Sequence, residues 1–209
     1  MSLQRLLDRA GNRIELPYLG LSFRKFGYKV FHDGEFASTD EFNKRLKYLY
    51  GEARGLHTVW SVDGLSAIRP RFGIFPKTNI HIATFPPKNI PAGLRSQYRM
   101  NVLGHEETHA LFRMNEIPRL ATEIAGFLKQ SKSTLTDLLN SISCLSDGEE
   151  YDCDVGGFYA LARAMGYPPD TFKRGLVRYY SYSKERIERA EPIHSHDVFI
   201  KVLAEMGVN

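Results

Sequence analysis

The chain has 209 residues, of which 43% are apolar and 25% are charged, and its formal net charge is +4. This length and composition allow a folded core, and they exclude disordered and fibrous proteins. No apolar run approaches the ~18 residues of a transmembrane helix. The N-terminal sequence MSLQRLLDRAGNRIEL carries charges too early for a secretory signal. We therefore expect a cytoplasmic protein with no membrane span.

The cysteine content supports the same expectation. Cys144 and Cys153 are the two cysteines of the sequence, which is too few for a disulfide framework or a four-cysteine zinc site. We interpret both as reduced, buried side chains that pack as small apolar groups.

The charge is unevenly distributed along the chain. Residues 1–100 carry a net charge of +8, whereas residues 101–209 carry −4. A basic half is typical of proteins that bind nucleic acid or an acidic partner. Here the basic residues are scattered and no nucleic-acid-binding motif accompanies them, which favours a solvated surface instead.

Residues 1–94 combine short strand patterns with one helix. Runs rich in β-branched and aromatic residues predict strands at 26–31, 66–75 and 78–85. Ser38 and Glu41 form a capping box, which predicts a helix that continues to about residue 54.

The strand pattern at 78–85, TNIHIATF, is flanked by prolines on both sides. Proline cannot donate to a β-ladder, so this flanking favours a strand at or near the edge of a sheet. We expect His81, within this strand, to be packed or exposed rather than a metal ligand.

Residues 95–209 show helical periodicity almost throughout. Gly166 and Gly207 are typical of residues that end helices. The predicted helices cover 94–114, 119–131, 135–145, 147–165, 169–179, 183–190 and 196–206. We therefore expect an α+β fold. In it, a small mixed or antiparallel sheet in residues 1–94 precedes a mainly helical lobe in residues 95–209, both in one compact domain.

The helix predicted at 94–114 contains the sequence His105-Glu106-Glu107-Thr108-His109, an HExxH motif. Residues i and i+4 lie on one helix face, so both imidazoles can bind the same metal ion. Glu106 is rotated about 100° from His105, where its carboxylate can contact a metal-activated water. The motif predicts a zinc site with Glu106 as the general base. Glu107 faces away from both histidines and is expected to be solvated.

The third zinc ligand has two candidates, because the HxxGxxH continuation of the metzincins does not follow the motif. Glu150, in the ExxCD sequence at 150–154, is the favoured one. Glu123 is the alternative, since it lies only 14 residues after His109 in an apolar helix, where an unpaired carboxylate is costly.

Further polar residues accompany the favoured candidate. Asp154 lies one helical turn after Glu150, where it can orient a ligand histidine through a hydrogen bond. Ser146 and Glu149 form a second capping box, which assigns Glu149 to the start of the helix. We interpret the tyrosine cluster at 179–182 as packing, with a phenol beside the zinc as the alternative.

The sequence HEETH, followed by EYDCDVGGFYALARAMGYPP, resembles the gluzincin metallopeptidases related to the CAAX-prenyl endopeptidases and the HtpX heat-shock peptidases. Their pattern is HExxH, then ExxAD on a second helix, then an alanine-rich stretch and a Gly-Tyr-x-Pro turn. The resemblance covers roughly residues 100–206, and Cys153 stands where the family has alanine. It implies a zincin-like fold, one zinc ion per chain and peptidase activity.

The resemblance also implies roles for other segments. Ser195-His196-Asp197 corresponds to a Ser/Thr-His-Pro element whose histidine helps to polarise the scissile carbonyl, with Asp in place of Pro. In such peptidases an edge strand above the zinc pairs with an extended substrate, and the strand at 78–85 is the candidate here. Glu123 resembles instead the glutamate of a second gluzincin group, in which Pro-x-Trp-Leu-Ser-Glu-Gly follows HExxH.

We therefore expect a zinc-dependent metalloendopeptidase that binds Zn²⁺ through His105, His109 and Glu150 and acts on a peptide or unfolded protein. Two other classes remain open: an inactive or latent metallopeptidase-like binding protein, and a nucleic-acid or acidic-partner binder that uses the basic half. The intact Glu106 argues against the first class, and the scattered basic residues argue against the second.

Overall fold

A computed structural model describes residues 3–50, 56–62, 65–70, 78–86, 90–129, 149–189 and 196–207. The chain divides into two compact units, Met1–Pro87 and Lys88–Asn209. The expected α+β class is confirmed, since the described strands lie in the first unit and the described part of the second is helical. The boundary lies after Pro87 rather than after residue 94, so the segment before the HExxH helix belongs with the helical unit.

The described part of the first unit contains two helices, each followed by three strands. In chain order they are α1 (Leu3–Arg9), β1 (Asn12–Leu16), β2 (Leu21–Lys25), β3 (Tyr28–Glu35), α2 (Thr39–Tyr50), β4 (Leu56–Val62), β5 (Leu65–Pro70) and β6 (Thr78–Thr84). The β1–β2 hairpin is antiparallel and alternates buried apolar with exposed polar residues. It buries one face, as antiparallel pairs commonly do.

The remaining strands form one mixed sheet in the order β3-β6-β5-β4. Strand β6 pairs in parallel with β3 along Thr78–Thr84 and antiparallel with β5 at Asn79–Ile82. Strand β6 is therefore next to the edge strand β3, and the expectation that it is itself an edge strand is wrong. Pro86 lies after the paired residues Thr78–Thr84, so it removes no donor from the ladders. Pro76 and Pro87 lie outside the described residues.

The central position of β6 also explains His81. Its side chain is buried, with Nδ1 2.7 Å from Asp33 Oδ2 and Nε2 2.5 Å from the Tyr50 hydroxyl. The ring also stacks on Phe31. His81 is thus a packed and fully hydrogen-bonded core histidine, as expected.

Helix α2 begins at the predicted capping box. The Ser38 hydroxyl accepts a hydrogen bond from the Glu41 N–H at 3.3 Å, and the Glu41 carboxylate accepts one from the Ala37 N–H at 2.8 Å. The helix packs through Phe42 and Leu46 against Ala83 of β6.

The second unit is helical in its described part. After a 3₁₀ turn at Ala92–Leu94 come α3 (Arg95–Met114), α4 (Ile117–Leu128), α5 (Glu149–Met165), α6 (Pro169–Glu188) and α7 (His196–Glu205). The predicted helix at 135–145 lies outside the described residues. The segments predicted at 169–179 and 183–190 belong to one helix, because no Gly or Pro separates them.

Residues with positive φ lie at several helix ends of this unit. Gly166, with φ of 68°, follows α5 and Gly207, with φ of 79°, follows α7, as predicted. Asn115 ends α3 with φ of 55°. Within the described part of the chain, no helix combines the length and the apolar character that crossing a bilayer requires.

Candidate metal centre

The centre lies between α3, which carries the HExxH motif, and α5, which carries ExxCD. The two helices approach closely because small residues lie where they cross. A Cβ atom on Gly157 would lie 2.7 Å from the carbonyl oxygen of Asn101, and one on Gly104 would lie 2.9 Å from that of Gly156. A side chain at either glycine would overlap the neighbouring backbone. The glycines therefore allow the motif face of α3 to reach the first turn of α5.

Three candidate ligand atoms converge there. The Nε2 atoms of His105 and His109 are 3.1 Å apart, and Glu150 Oε2 lies 3.5 Å from the first and 3.4 Å from the second. Donors about 2.0–2.2 Å from a tetrahedral zinc ion are about 3.3–3.6 Å apart. The chemistry and spacing of the three donors therefore fit Zn²⁺.

A carboxylate holds each imidazole from the opposite side. His105 Nδ1 lies 2.8 Å from Asp154 Oδ1, and His109 Nδ1 lies 2.9 Å from Glu149 Oε1. Since carboxylates accept hydrogen bonds, each Nδ1 carries the proton and each Nε2 faces the centre. Asp154 has the predicted contact. The contact between Glu149 and His109 was not predicted, because the capping box already gave a reason for a glutamate at position 149.

The metal-free centre holds a proton. With both Nδ1 atoms donating to carboxylates, the short Nε2–Nε2 contact requires a proton on one Nε2. Burial opposes the charge on His105, but the hydrogen bonds with Asp154 and then Glu150 outweigh it and raise the pKa of His105 to about 10. Burial also opposes the charge on Glu150, and the hydrogen bonds with both histidines nevertheless hold its pKa well below the ordinary value.

The raised pKa of His105 means that the surrounding carboxylates favour a positive charge at this position. Carboxylates surround the imidazole pair, so a divalent ion can replace the proton without leaving a buried negative charge uncompensated.

The HExxH glutamate is buried. Glu106 is 3% exposed, and its charge adds to that of Asp154 in raising the pKa of His105. Its carboxylate is therefore close enough to interact electrostatically with His105. Glu107 is fully buried, so the expectation that it is solvated is wrong. Protein covers α3 on more sides than its apolar pattern indicates.

A thiol belongs to the same cluster. The Sγ atom of Cys153 and one ring nitrogen of each of His105 and His109 all lie within 4.8 Å of one another. Burial first, and then the nearby carboxylates, raise the pKa of this thiol well above its ordinary value. Cys153 is free and buried, as predicted, but the sequence did not place it at the centre. Cys144 lies outside the described residues.

A tyrosine of α6 supports Asp154. The buried Tyr179 donates its hydroxyl hydrogen bond to Asp154 Oδ2, while Oδ1 contacts His105. Both carboxylate oxygens are thus engaged, and the orientation of Asp154 is fixed from two helices. The Tyr179 hydroxyl thus contacts the carboxylate that supports His105. The packing interpretation of the tyrosine cluster did not include this role.

The other sequence-predicted residues lie elsewhere. Glu123 is exposed on α4, and among the described residues Glu150 is the glutamate whose carboxylate lies between the two Nε2 atoms. His196 begins α7, but its side chain and all of Ser195 are outside the described part of the chain.

No family model matches this chain, and no match was found among the curated proteins or the solved structures. The resemblance to gluzincin peptidases therefore stays a prediction from the sequence motifs.

Proposed function

We propose that the protein is a zinc-dependent metalloendopeptidase with His105, His109 and Glu150 as its zinc ligands. The observation that carries this proposal is the mutual approach of the three donor atoms to within 3.5 Å. Each of them comes from a motif position at which the chemistry requires it. A structural zinc site has four protein ligands, whereas three leave a position for water or substrate.

When bound, a zinc ion lowers the pKa of a water molecule to about 7 and polarises a carbonyl group. Glu106 would accept the proton of the attacking water and transfer it to the leaving nitrogen. Asp154 and Glu149 would orient the two imidazoles for binding through Nε2, because each accepts a hydrogen bond from the Nδ1–H of its histidine. Burial of His109 and Glu106 strengthens these electrostatic interactions.

The substrate class follows from the reaction. A site with a single water nucleophile and one carboxylate base suits hydrolysis of an amide, and an extended peptide or unfolded protein segment presents its amides without competing structure. We do not assign substrate pairing to the strand at 78–85, because β6 is central in its sheet.

The proposal is tested by comparing the purified wild-type protein with Glu106→Gln, Glu150→Ala and Glu123→Ala. We expect about one zinc per chain in the wild type, in Glu106→Gln and in Glu123→Ala, and loss of zinc in Glu150→Ala. Cleavage of a denatured protein should fall by about 100-fold or more in Glu106→Gln. Glu123→Ala is the matched control, since it removes an exposed glutamate of the same unit.

Two results would contradict the proposal. If the wild type takes up no zinc when Zn²⁺ is added, the three donors do not form a metal site. If zinc binds but Glu106→Gln cleaves as fast as the wild type, or if neither protein cleaves any unfolded substrate, the site is not a peptidase centre.

A further inference from the structure

The two histidines of the centre belong to two overlapping sets of donors. With Glu150 they form the set of nitrogen and oxygen atoms described above. With Cys153 they form a second set, in which nitrogen and sulfur atoms lie within 4.8 Å of one another. Glu150 and Cys153 are three residues apart on α5 and therefore face the histidines from the same side of that helix.

The two sets differ in chemical softness. A carboxylate oxygen is a hard donor, while thiolate is a soft donor that prefers ions such as Cd²⁺ and Cu⁺. Zn²⁺ accepts either type of ligand. The identity of the third ligand can therefore depend on the ion, with the imidazoles common to both arrangements.

The position of Cys153 allows its thiol to serve as the third ligand. The side chain is fully buried and is not part of a disulfide, so it is not a surface thiol that binds metals at random. Its Sγ atom lies within 4.8 Å of a ring nitrogen of each histidine, and the arrangement with Glu150 does not use it. The thiol is therefore a further donor at the same pair of imidazoles.

We propose that the centre binds thiophilic d¹⁰ cations through His105, His109 and the thiolate of Cys153, as an alternative to the zinc arrangement with Glu150. This inference rests on the two-histidine site of the proposed function. In the binding step a metal–sulfur bond and two metal–nitrogen bonds replace metal–water bonds. The thiol and the protonated imidazole each release a proton to solvent, with no change of oxidation state. A cation held in this way occupies both histidines and therefore excludes the catalytic zinc ion.

The experiment uses Cd²⁺ alone as the probe and the full chain as the sample. A cadmium–thiolate bond produces a charge-transfer absorption in the ultraviolet, at shorter wavelength than the aromatic bands and visible in a difference spectrum, which a cadmium–carboxylate or cadmium–imidazole bond does not. We expect this band to appear at one equivalent of Cd²⁺ in the wild type and in Glu150→Ala. It should be lost in Cys153→Ala and Cys153→Ser.

Cys144→Ala is the matched control, since it removes the other thiol of the sequence and should leave the band unchanged. Cys153→Ala installs the residue that the resembling family has at this position, and Cys153→Ser keeps the size of the side chain. The two variants together separate loss of the ligand from a packing defect, and both should still bind Zn²⁺ through Glu150.

The possible results separate this inference from the proposed function. If Cd²⁺ binds the wild type without the band, or if the band persists in both Cys153 variants, the thiol is not a ligand and the inference is overturned, while the zinc site stands. If neither Cd²⁺ nor Zn²⁺ binds, the two-histidine site itself is absent and both proposals fail.

Discussion

The two carboxylates that contact the imidazoles of the centre differ in exposure and in hydrogen bonding. Asp154, which contacts His105, is 13% exposed and its second oxygen accepts the hydroxyl of Tyr179. Glu149, which contacts His109, is 31% exposed. A buried carboxylate with both oxygens hydrogen-bonded has less freedom to reorient than an exposed one. We therefore expect Asp154 to fix the orientation of His105 more firmly than Glu149 fixes that of His109.

The raised pKa of His105 predicts that zinc binding releases a proton. Below a pKa of about 10 the metal-free His105 is protonated, and zinc requires the neutral ring. We therefore expect release of about one proton per zinc near pH 8, and an apparent zinc affinity that rises about tenfold per pH unit below the pKa of His105. Zinc titration in a weakly buffered solution containing a pH indicator measures the released proton directly.

Asp154→Asn tests whether the hydrogen bond with Asp154 causes the raised pKa of His105. It removes the largest pKa-raising hydrogen bond of His105, so the pKa should fall and fewer protons should be released near the same pH. Glu123→Gln, which changes an exposed carboxyl group, should release as many protons as the wild type. Zinc uptake by the wild type without any proton release would show that His105 is already neutral.

At the scale of elements, the centre exists because two helices cross closely enough for their motifs to meet. Gly104 and Gly157 lie at this crossing, where neighbouring backbone leaves no room for a Cβ atom. The HExxH spacing sets which residues share one face of α3, but the separation of α3 from α5 sets whether Glu150 reaches both imidazoles. The glycines are therefore as necessary to the site as the ligands.

We expect Gly157→Ala to destabilise the protein by about 1–3 kcal/mol and to weaken zinc binding, since the new Cβ forces α5 away from the Asn101 backbone. Gly126→Ala is the matched control, because this glycine lies within α4 and, among the described residues, no atom outside its own helix backbone lies within 4 Å of its Cβ position. That change should stabilise the helix by up to about 1 kcal/mol. Denaturant unfolding and zinc content measure both effects, and equal stability of the two variants would contradict the close-packing argument.

Features that depend on a few consecutive residues were predicted well from the sequence. The capping box at Ser38 and Glu41 and the glycine after α5 are properties of a few consecutive residues, and the structure has them. The central position of β6 depends on pairing with strands up to 50 residues away along the chain, which flanking prolines do not report. The hairpin of β1 and β2 was not predicted, because each of its strands has only five residues.

The same distinction applies to the candidate site. The HExxH motif indicated His105, Glu106 and His109 from spacing alone, and Glu150 and Asp154 followed from a second motif. Glu149 and Cys153 had sufficient local explanations, as a helix cap and as a small buried residue. Their proximity to the histidines depends on the helix crossing, which a single sequence does not specify.

At the scale of the whole molecule, every described residue of the centre belongs to the unit Lys88–Asn209, although His105 and Asp154 are 49 positions apart in the sequence. An unfolded chain does not bring such residues together, so zinc should bind the folded state in strong preference to the unfolded one. Zinc binding at the proposed site would therefore be thermodynamically linked to the folding of this unit.

This linkage predicts both the size and the location of the stabilisation. At a free zinc concentration 100 times Kd, the free energy of unfolding should rise by about 2.7 kcal/mol, which denaturant titrations with zinc and with a chelator can measure. Hydrogen exchange should slow most in α3 and α5, because these helices carry all three proposed ligands. His109→Ala is the control that should lose both effects. If zinc instead slows exchange mainly in the sheet of the first unit, the ion binds elsewhere and the assignment of the centre to α3 and α5 is wrong.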